Sequence, residues 1–174
     1  MKSNIISYAN LMVMCLLLFQ FAGNSRTDST KKVKHSVFLE AGGTCGYGSV
    51  NYEINIYKKK YFILNGRVGL STYHIHDFSN KLNPDILLPL MAQVCYGKTH
   101  RLDIGIGQTI ASIIKAGDMN LKPARYINFH SVFTLGYRYQ KQSGGFLFRA
   151  AYTPILEFNK YLRHWAGLSF GYSF

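Results

Sequence analysis

The last eight residues of the chain, Gly167 to Phe174, read "GLSFGYSF". Leu168, Phe170, Tyr172 and Phe174 share one parity, and Gly167, Ser169, Gly171 and Ser173 share the other. Strict alternation of this kind is the period of a β-strand with one apolar face. Chain ends usually fray into polar residues unless something ties them down. A strand that stays apolar to its final residue therefore needs a pairing partner and an apolar environment for its outer face.

Moving outward, the same period recurs through most of the chain after Lys34, and a helical period is hard to find. Eight segments follow it, roughly Ser36–Cys45, Tyr47–Tyr57, Tyr61–Tyr73, Ile86–Tyr96, Arg101–Ser112, Phe129–Tyr139, Gly145–Thr153 and His164–Phe174. Each approaches the length of about nine to eleven residues that a tilted strand needs to cross a bilayer. The connections alternate. "KKK", "GKTH" and "QKQSGG" are short, whereas "HIHDFSNKLNPD", "IIKAGDMNLKPARYIN" and "PILEFNKYLR" are longer; the first connection, around Gly46, is tight. Short turns at one end and longer loops at the other predict an up-and-down transmembrane barrel with its short turns in the periplasm. The fourth segment fits worst. "ILLPLMAQVCY" is apolar on both parities and contains Pro89, which predicts a bulge or a strand that begins after the proline.

The strand-body charges separate a membrane barrel from a soluble sandwich. Glu40, Glu53, Arg67, Asp103, Arg138 and Arg149 all take the polar parity, while lysine is confined to the N-terminal tail, turns and loops. A sandwich would turn its charged face to water and scatter lysine along its strands. A small barrel instead points apolar residues at lipid and fills its lumen with the polar ones. Three acids and three arginines give a formal balance of zero and predict an interlocked network that packs the lumen.

Composition agrees with strands. Tyr and Phe number 13 and 12 against a single Trp, and only 16% of residues are charged where about 25% is usual. The net charge is +12. Basic residues fall in two rims, Lys58, Lys59, Lys60, Lys98 and Lys141 at the short turns and Lys81, Lys115, Lys122, Arg125, Lys160 and Arg163 in the long loops. Nucleic acid would call for one clustered patch with stacking aromatics, so phosphates of lipopolysaccharide at the outer rim fit better, with generic surface charge as the alternative. The N-terminus has a basic start, an apolar core densest from Leu11 to Phe21, and small residues at Ala22, Gly23 and Ser25. This predicts a secretory signal peptide over residues 1–25, with a retained membrane anchor as the alternative. A polar segment, 26–35, and the barrel, 36–174, complete the expected organisation. Removal of the signal takes away only Lys2 of the 20 Lys and Arg, and none of the 8 Asp and Glu. Cys45 and Cys95 fall near opposite ends of the barrel, beyond disulfide reach, and are expected to be free thiols.

Taken in order, "SVFLEAGG" leading to "SVNYEINIY", "LNGRVGLS", "LDIGIGQT", "LGYRYQ", "GGFLFRAAYTP" and "WAGLSFGYSF" resemble the small eight-stranded outer-membrane β-barrels of Gram-negative bacteria, the OmpA/OmpX-type class. The resemblance covers most of the mature chain. It implies an outer-membrane location, lipid and lipopolysaccharide as surroundings, and recognition by the barrel-assembly machinery through the terminal pattern Leu168, Phe170, Tyr172 and Phe174. It brings no activity and no cofactor. The expected role is structural or interactive, in a monomer without enzymatic activity, with a small-solute channel or a lipid A-modifying enzyme as alternatives. Relatives that deacylate lipid A need a His and a Ser two positions apart facing lipid; His130 and Ser131 are adjacent, and His164 has no serine at that spacing. His74 and His76 share a strand face, with Asp77 following, but no further metal ligand is evident. No catalytic, cofactor or metal residue is assigned.

Overall fold

A computed structural model describes residues 35–116, 123–157 and 162–174. The expected signal peptide, 1–25, and nearly all of the polar segment lie outside the described residues. The strands are β1 (His35–Gly42), β2 (Gly48–Lys59), β3 (Phe62–Leu70), β4 (Ile86–Gly97), β5 (His100–Ala116), β6 (Pro123–Gln140), β7 (Gly145–Tyr152), β8 (Ile155–Glu157), β9 (Leu162–Arg163) and β10 (Ala166–Ser173). A 3-10 turn, Gly43–Cys45, joins β1 to β2. β8 continues β7 beyond Pro154, and β9 leads into β10, with unchanged registers against their neighbours. The ten segments thus form eight antiparallel staves.

Closure is made by β1 and β10, paired from Ser36↔Ser173 to Gly42↔Gly167. His35 and Phe174 then exchange backbone hydrogen bonds of 2.7 and 2.8 Å. This is the partner that the C-terminal alternation requires, and it leaves no open sheet edge. Leu168, Phe170, Tyr172 and Phe174 point outward and are 49–63% exposed, whereas Ser169 and Ser173 are buried. The same split holds around the barrel. Leu39, Leu102, Ile104, Ile106 and Leu135 lie outside, and Glu40, Glu53, Arg67, Asp103, Arg138 and Arg149 lie inside.

One strand and two connections differ from the sequence expectation. β4 runs through Pro89 rather than starting after it. Ser71 and Leu87 exchange backbone hydrogen bonds of 2.9 Å, so the next such pair would be Gly69 and Pro89. Proline has no N–H, and the β3–β4 ladder breaks at that pair while keeping its register on both sides. Gly69 makes the break tolerable, because a Cβ there would lie 2.8 Å from Pro89 Cγ. The segment between the fifth and sixth staves is not a loop for most of its length. The ladder continues from Ser112↔Ile127 to Ala116↔Pro123, since a paired hairpin satisfies backbone groups that a loop would have to leave to water. Between the seventh and eighth, Ile155 and Leu156 pair with Arg163 and Leu162 in the same way.

The long connection 71–85 is held down by side chains. Asp85 accepts the Ile114 N–H at 2.8 Å and contacts His74 Nδ1 at 3.0 Å. Arg125 donates to Asn83, to the Pro84 carbonyl and to Ser112. At the tip Asp77 accepts the N–H groups of Ser79 (2.8 Å) and Lys81 (3.1 Å). The backbone N–H of Lys81, aided by that of Ser79, holds the Asp77 carboxyl below its ordinary range.

Candidate functional site

Inward parity delivers six ionised side chains to the lumen, where they form a single alternating chain. Arg67 on β3 pairs with Glu40 on β1. Glu40 takes Arg149 of β7 at 2.9 Å, and Arg149 reaches Asp103 of β5 at 3.2 Å. Asp103 takes Arg138 of β6 at 2.8 Å, and Arg138 closes on Glu53 of β2 through bonds of 2.5 and 2.8 Å. All six side chains are 0–2% exposed.

Buried charges are costly unless their remaining donors and acceptors are met, and the neighbouring residues meet many of them. Thr44 gives Glu40 its hydroxyl at 3.0 Å and its N–H at 3.3 Å. Asn51 accepts Arg67 Nε at 2.9 Å, and the Arg67 guanidinium lies 4.9 Å from the Phe38 ring centroid. Gln93, with its amide nitrogen toward Glu53, donates at 2.8 Å and accepts from Arg149 at 3.2 Å; the reverse orientation would set like atoms against like. Glycine supplies the room. A Cβ on Gly43, whose φ is +74°, would lie within 2.7 Å of both Glu40 carboxylate oxygens.

A fourth buried arginine escaped the sequence reading. Arg101 is 4% exposed and donates to the Lys98 carbonyl and to Gln140 Oε1, both at 2.8 Å. Gln140 passes the bond on to Ser173 Oγ at 2.7 Å. With Arg101 counted, the interior is not formally neutral. Its parity is that of Asp103, so alternation alone could have found it; its place at a strand start made it look like a turn charge.

At the long-loop end the lumen opens into a bowl of about 440 Å³. Its floor is Thr44, which also binds Glu40, with Thr109 bonded to the Thr44 carbonyl at 3.2 Å. Trp165 reaches over the rim to the Gly46 carbonyl at 3.1 Å, and Tyr47 meets Tyr73 edge to face. Lys115, Arg163, His74 and His130 contribute basic groups, and among the described residues none that lines the bowl is Asp or Glu.

The remaining candidates separate. His130 lines the bowl while Ser131, next along the strand, has the opposite parity. His164 is bonded to the Tyr152 hydroxyl at the outer surface. His74, His76 and Asp77 border a small hollow, but His74 is engaged with Asp85. Among the described residues no group of three or more His, Cys, Asp or Glu is placed to hold a metal ion. Cys45 and Cys95 are buried free thiols.

The protein has the fold of a small outer-membrane β-barrel. The N-terminal β-barrel domain of Pseudomonas aeruginosa OprF superposes with a TM-score of 0.55 at 17% identity, covering 82% of this chain and 96% of that one. The Yersinia pestis outer membrane protein Ail, solved in a phospholipid bilayer nanodisc, gives a TM-score of 0.51 at 11% identity, over 82% of this chain and 100% of that one. No protein-family model matches the sequence, and no curated protein matches it.

Proposed function

We propose that this chain is a monomeric, non-enzymatic outer-membrane barrel whose lumen is shut by its own ion-pair chain and which acts through the surfaces at its ends. The observation that carries this is the run Arg67–Glu40–Arg149–Asp103–Arg138–Glu53, buried throughout and spanning the barrel. An eight-stave barrel has an interior only wide enough for side chains, and here ionised groups locked to one another take that space. Solute passage would require breaking several desolvated pairs at once. The apolar exterior faces lipid, the short turns face the periplasm, and the long loops and basic bowl face the lipopolysaccharide leaflet. Lys115 and the other basic groups of the bowl suit phosphate and carboxylate groups there. Residues 1–25 are removed on export. The terminal Leu168, Phe170, Tyr172 and Phe174 serve as the address that the assembly machinery reads.

Planar-bilayer recording tests the closed lumen. The wild-type barrel is expected to give no conductance steps, and ohmic steps that persist in Arg138→Ala would overturn the plug. Mass spectrometry of lipid A from cells with and without the gene tests the absence of enzymatic activity. Identical acyl and phosphate patterns are expected, and a shifted mass in the presence of the gene would refute it.

A further inference from the structure

The charged side chains described at the short-turn end are all of one sign. Lys59 and Lys60 lie at the β2–β3 turn, Lys98 at the β4–β5 turn and Lys141 at the β6–β7 turn, all exposed. Among the described residues no Asp or Glu side chain sits at this end. The described acids are in the lumen chain (Glu40, Glu53, Asp103), in the long connection 71–85 (Asp77, Asp85) or, as Glu157, at the end of β8 on the long-loop side. At one seam the cations converge. Lys60 Nζ lies 5.2 Å and Lys98 Nζ 5.5 Å from the centroid of the same ring, Tyr61. The two turns are joined there by the Gly97 N–H bonded to the Tyr61 carbonyl at 2.9 Å. Lys60 occupies φ +51°, a conformation that favours glycine or asparagine.

We propose that this end binds anionic phospholipid headgroups of the inner leaflet, with a defined phosphodiester site between Lys60 and Lys98 over Tyr61. Both ammonium groups lie within 5.5 Å of one ring centroid, and a phosphate that both side chains reach gains two charge-assisted contacts. Depth and distribution select lipid over an acidic protein or glycan. Tyr61 packs edge-to-face on Tyr96, and Tyr57 on Phe62, in the aromatic belt that sits at headgroup level. The lysines follow every second seam around the barrel instead of gathering on one face. A ring of cations suits many small anions, whereas a single docked macromolecule would use one side. The inference rests on the membrane orientation proposed above.

Native mass spectrometry of the folded full-length barrel in nonionic detergent, offered equal phosphatidylglycerol and phosphatidylethanolamine, tests it. The wild type is expected to retain phosphatidylglycerol preferentially. Lys60→Asn with Lys98→Gln should weaken that retention about 25-fold, at about fivefold per lysine; Lys98→Arg and Lys81→Gln should preserve it. Asparagine suits the backbone at position 60, and heat-modifiable gel migration shows that each variant has folded. Equal retention of both lipids by a folded barrel would overturn the inference, and it is the result expected if the lysines serve a soluble acidic partner. Equal loss in Lys81→Gln would overturn it as well. A chain that never acquires heat-modifiable migration would instead refute the barrel reading itself.

Discussion

Removing Arg138 tests whether the lumen chain stabilises the barrel as a unit. Arg138 makes two bonds to Glu53 and one to Asp103. Asp103 keeps Arg149 when Arg138 is lost, but Glu53 loses its ion pair and keeps the neutral Gln93 amide as its hydrogen-bond donor, with Arg67 only a neighbour across the ladder. Arg138→Met therefore strands one buried carboxylate, the situation that costs about 3–5 kcal/mol. Arg67→Met is milder. Glu40 retains Arg149 and Thr44, so the loss is nearer one charged hydrogen bond, about 2 kcal/mol. Combining Arg138→Met with Glu53→Gln neutralises the stranded group, and the double variant should be more stable than the single by about 2 kcal/mol. Urea titration of the barrel in phospholipid vesicles measures all four states of the cycle. Trp165, the single Trp of the chain, stands at the bowl rim and supplies the fluorescence signal. If the two substitutions add to within about 0.5 kcal/mol, Glu53 and Arg138 are not coupled and the chain is not acting as a unit.

Gly69→Ala should destabilise by about 1–3 kcal/mol through clashes with the Asn51 amide and with Pro89; adding Pro89→Ala should recover only the proline's part of it, read as a shift in unfolding midpoint. Asp85→Ala should free the connection 71–85 from Ile114 and His74, seen as faster trypsin cleavage after Lys81 in a barrel that remains folded. The Asp77 carboxyl has a lowered folded pKa. Its contribution to the loop tip is thus complete above the ordinary carboxylate range and is lost as pH falls through the lowered value, which amide-exchange rates at Ser79 and Lys81 would report. Phe174→Ser should slow insertion by the assembly machinery and leave unassisted folding into vesicles nearly unchanged; equal slowing in both assays would argue against an address role.

What the sequence made legible was the face each strand residue takes, because the period of two is written in residue types. It failed where the types stop alternating. On β4 the inward residues Leu87, Pro89 and Met91 are as apolar as the outward Leu88, Leu90 and Val94. The ion-pair chain leaves this arc of the wall needing only volume, and volume carries no polar signature. Beyond Ile110 the residue types stop alternating, from Ala111 to Ala116 on β5 and from Pro123 to Asn128 on β6, so the paired hairpin reads as a loop. Partner choice inside the lumen was not legible either, since parity fixes which side chains point inward and the stagger between distant staves fixes which of them meet.

That stagger explains why the chain runs as it does. In the local ladders Arg138 stands directly opposite Arg101 on one side and Arg149 on the other. Three arginines in a row on adjacent strands repel, and like charges directly opposite destabilise a sheet. Glu53 stands opposite Arg67 in the β2–β3 ladder, yet Glu53 bonds Arg138 and Arg67 bonds Glu40. The stabilising pairs are thus mostly not those that neighbouring strands could form on an open sheet. β2 and β6 are four staves apart in a ring of eight, so the Glu53–Arg138 pair exists only when β1 has met β10 and the walls face one another. A one-residue slip would turn the arginines toward lipid, and an open sheet would leave them crowded. The electrostatics therefore penalise alternatives that a merely apolar exterior would tolerate, which is the role in conformational specificity that buried ion pairs fill best.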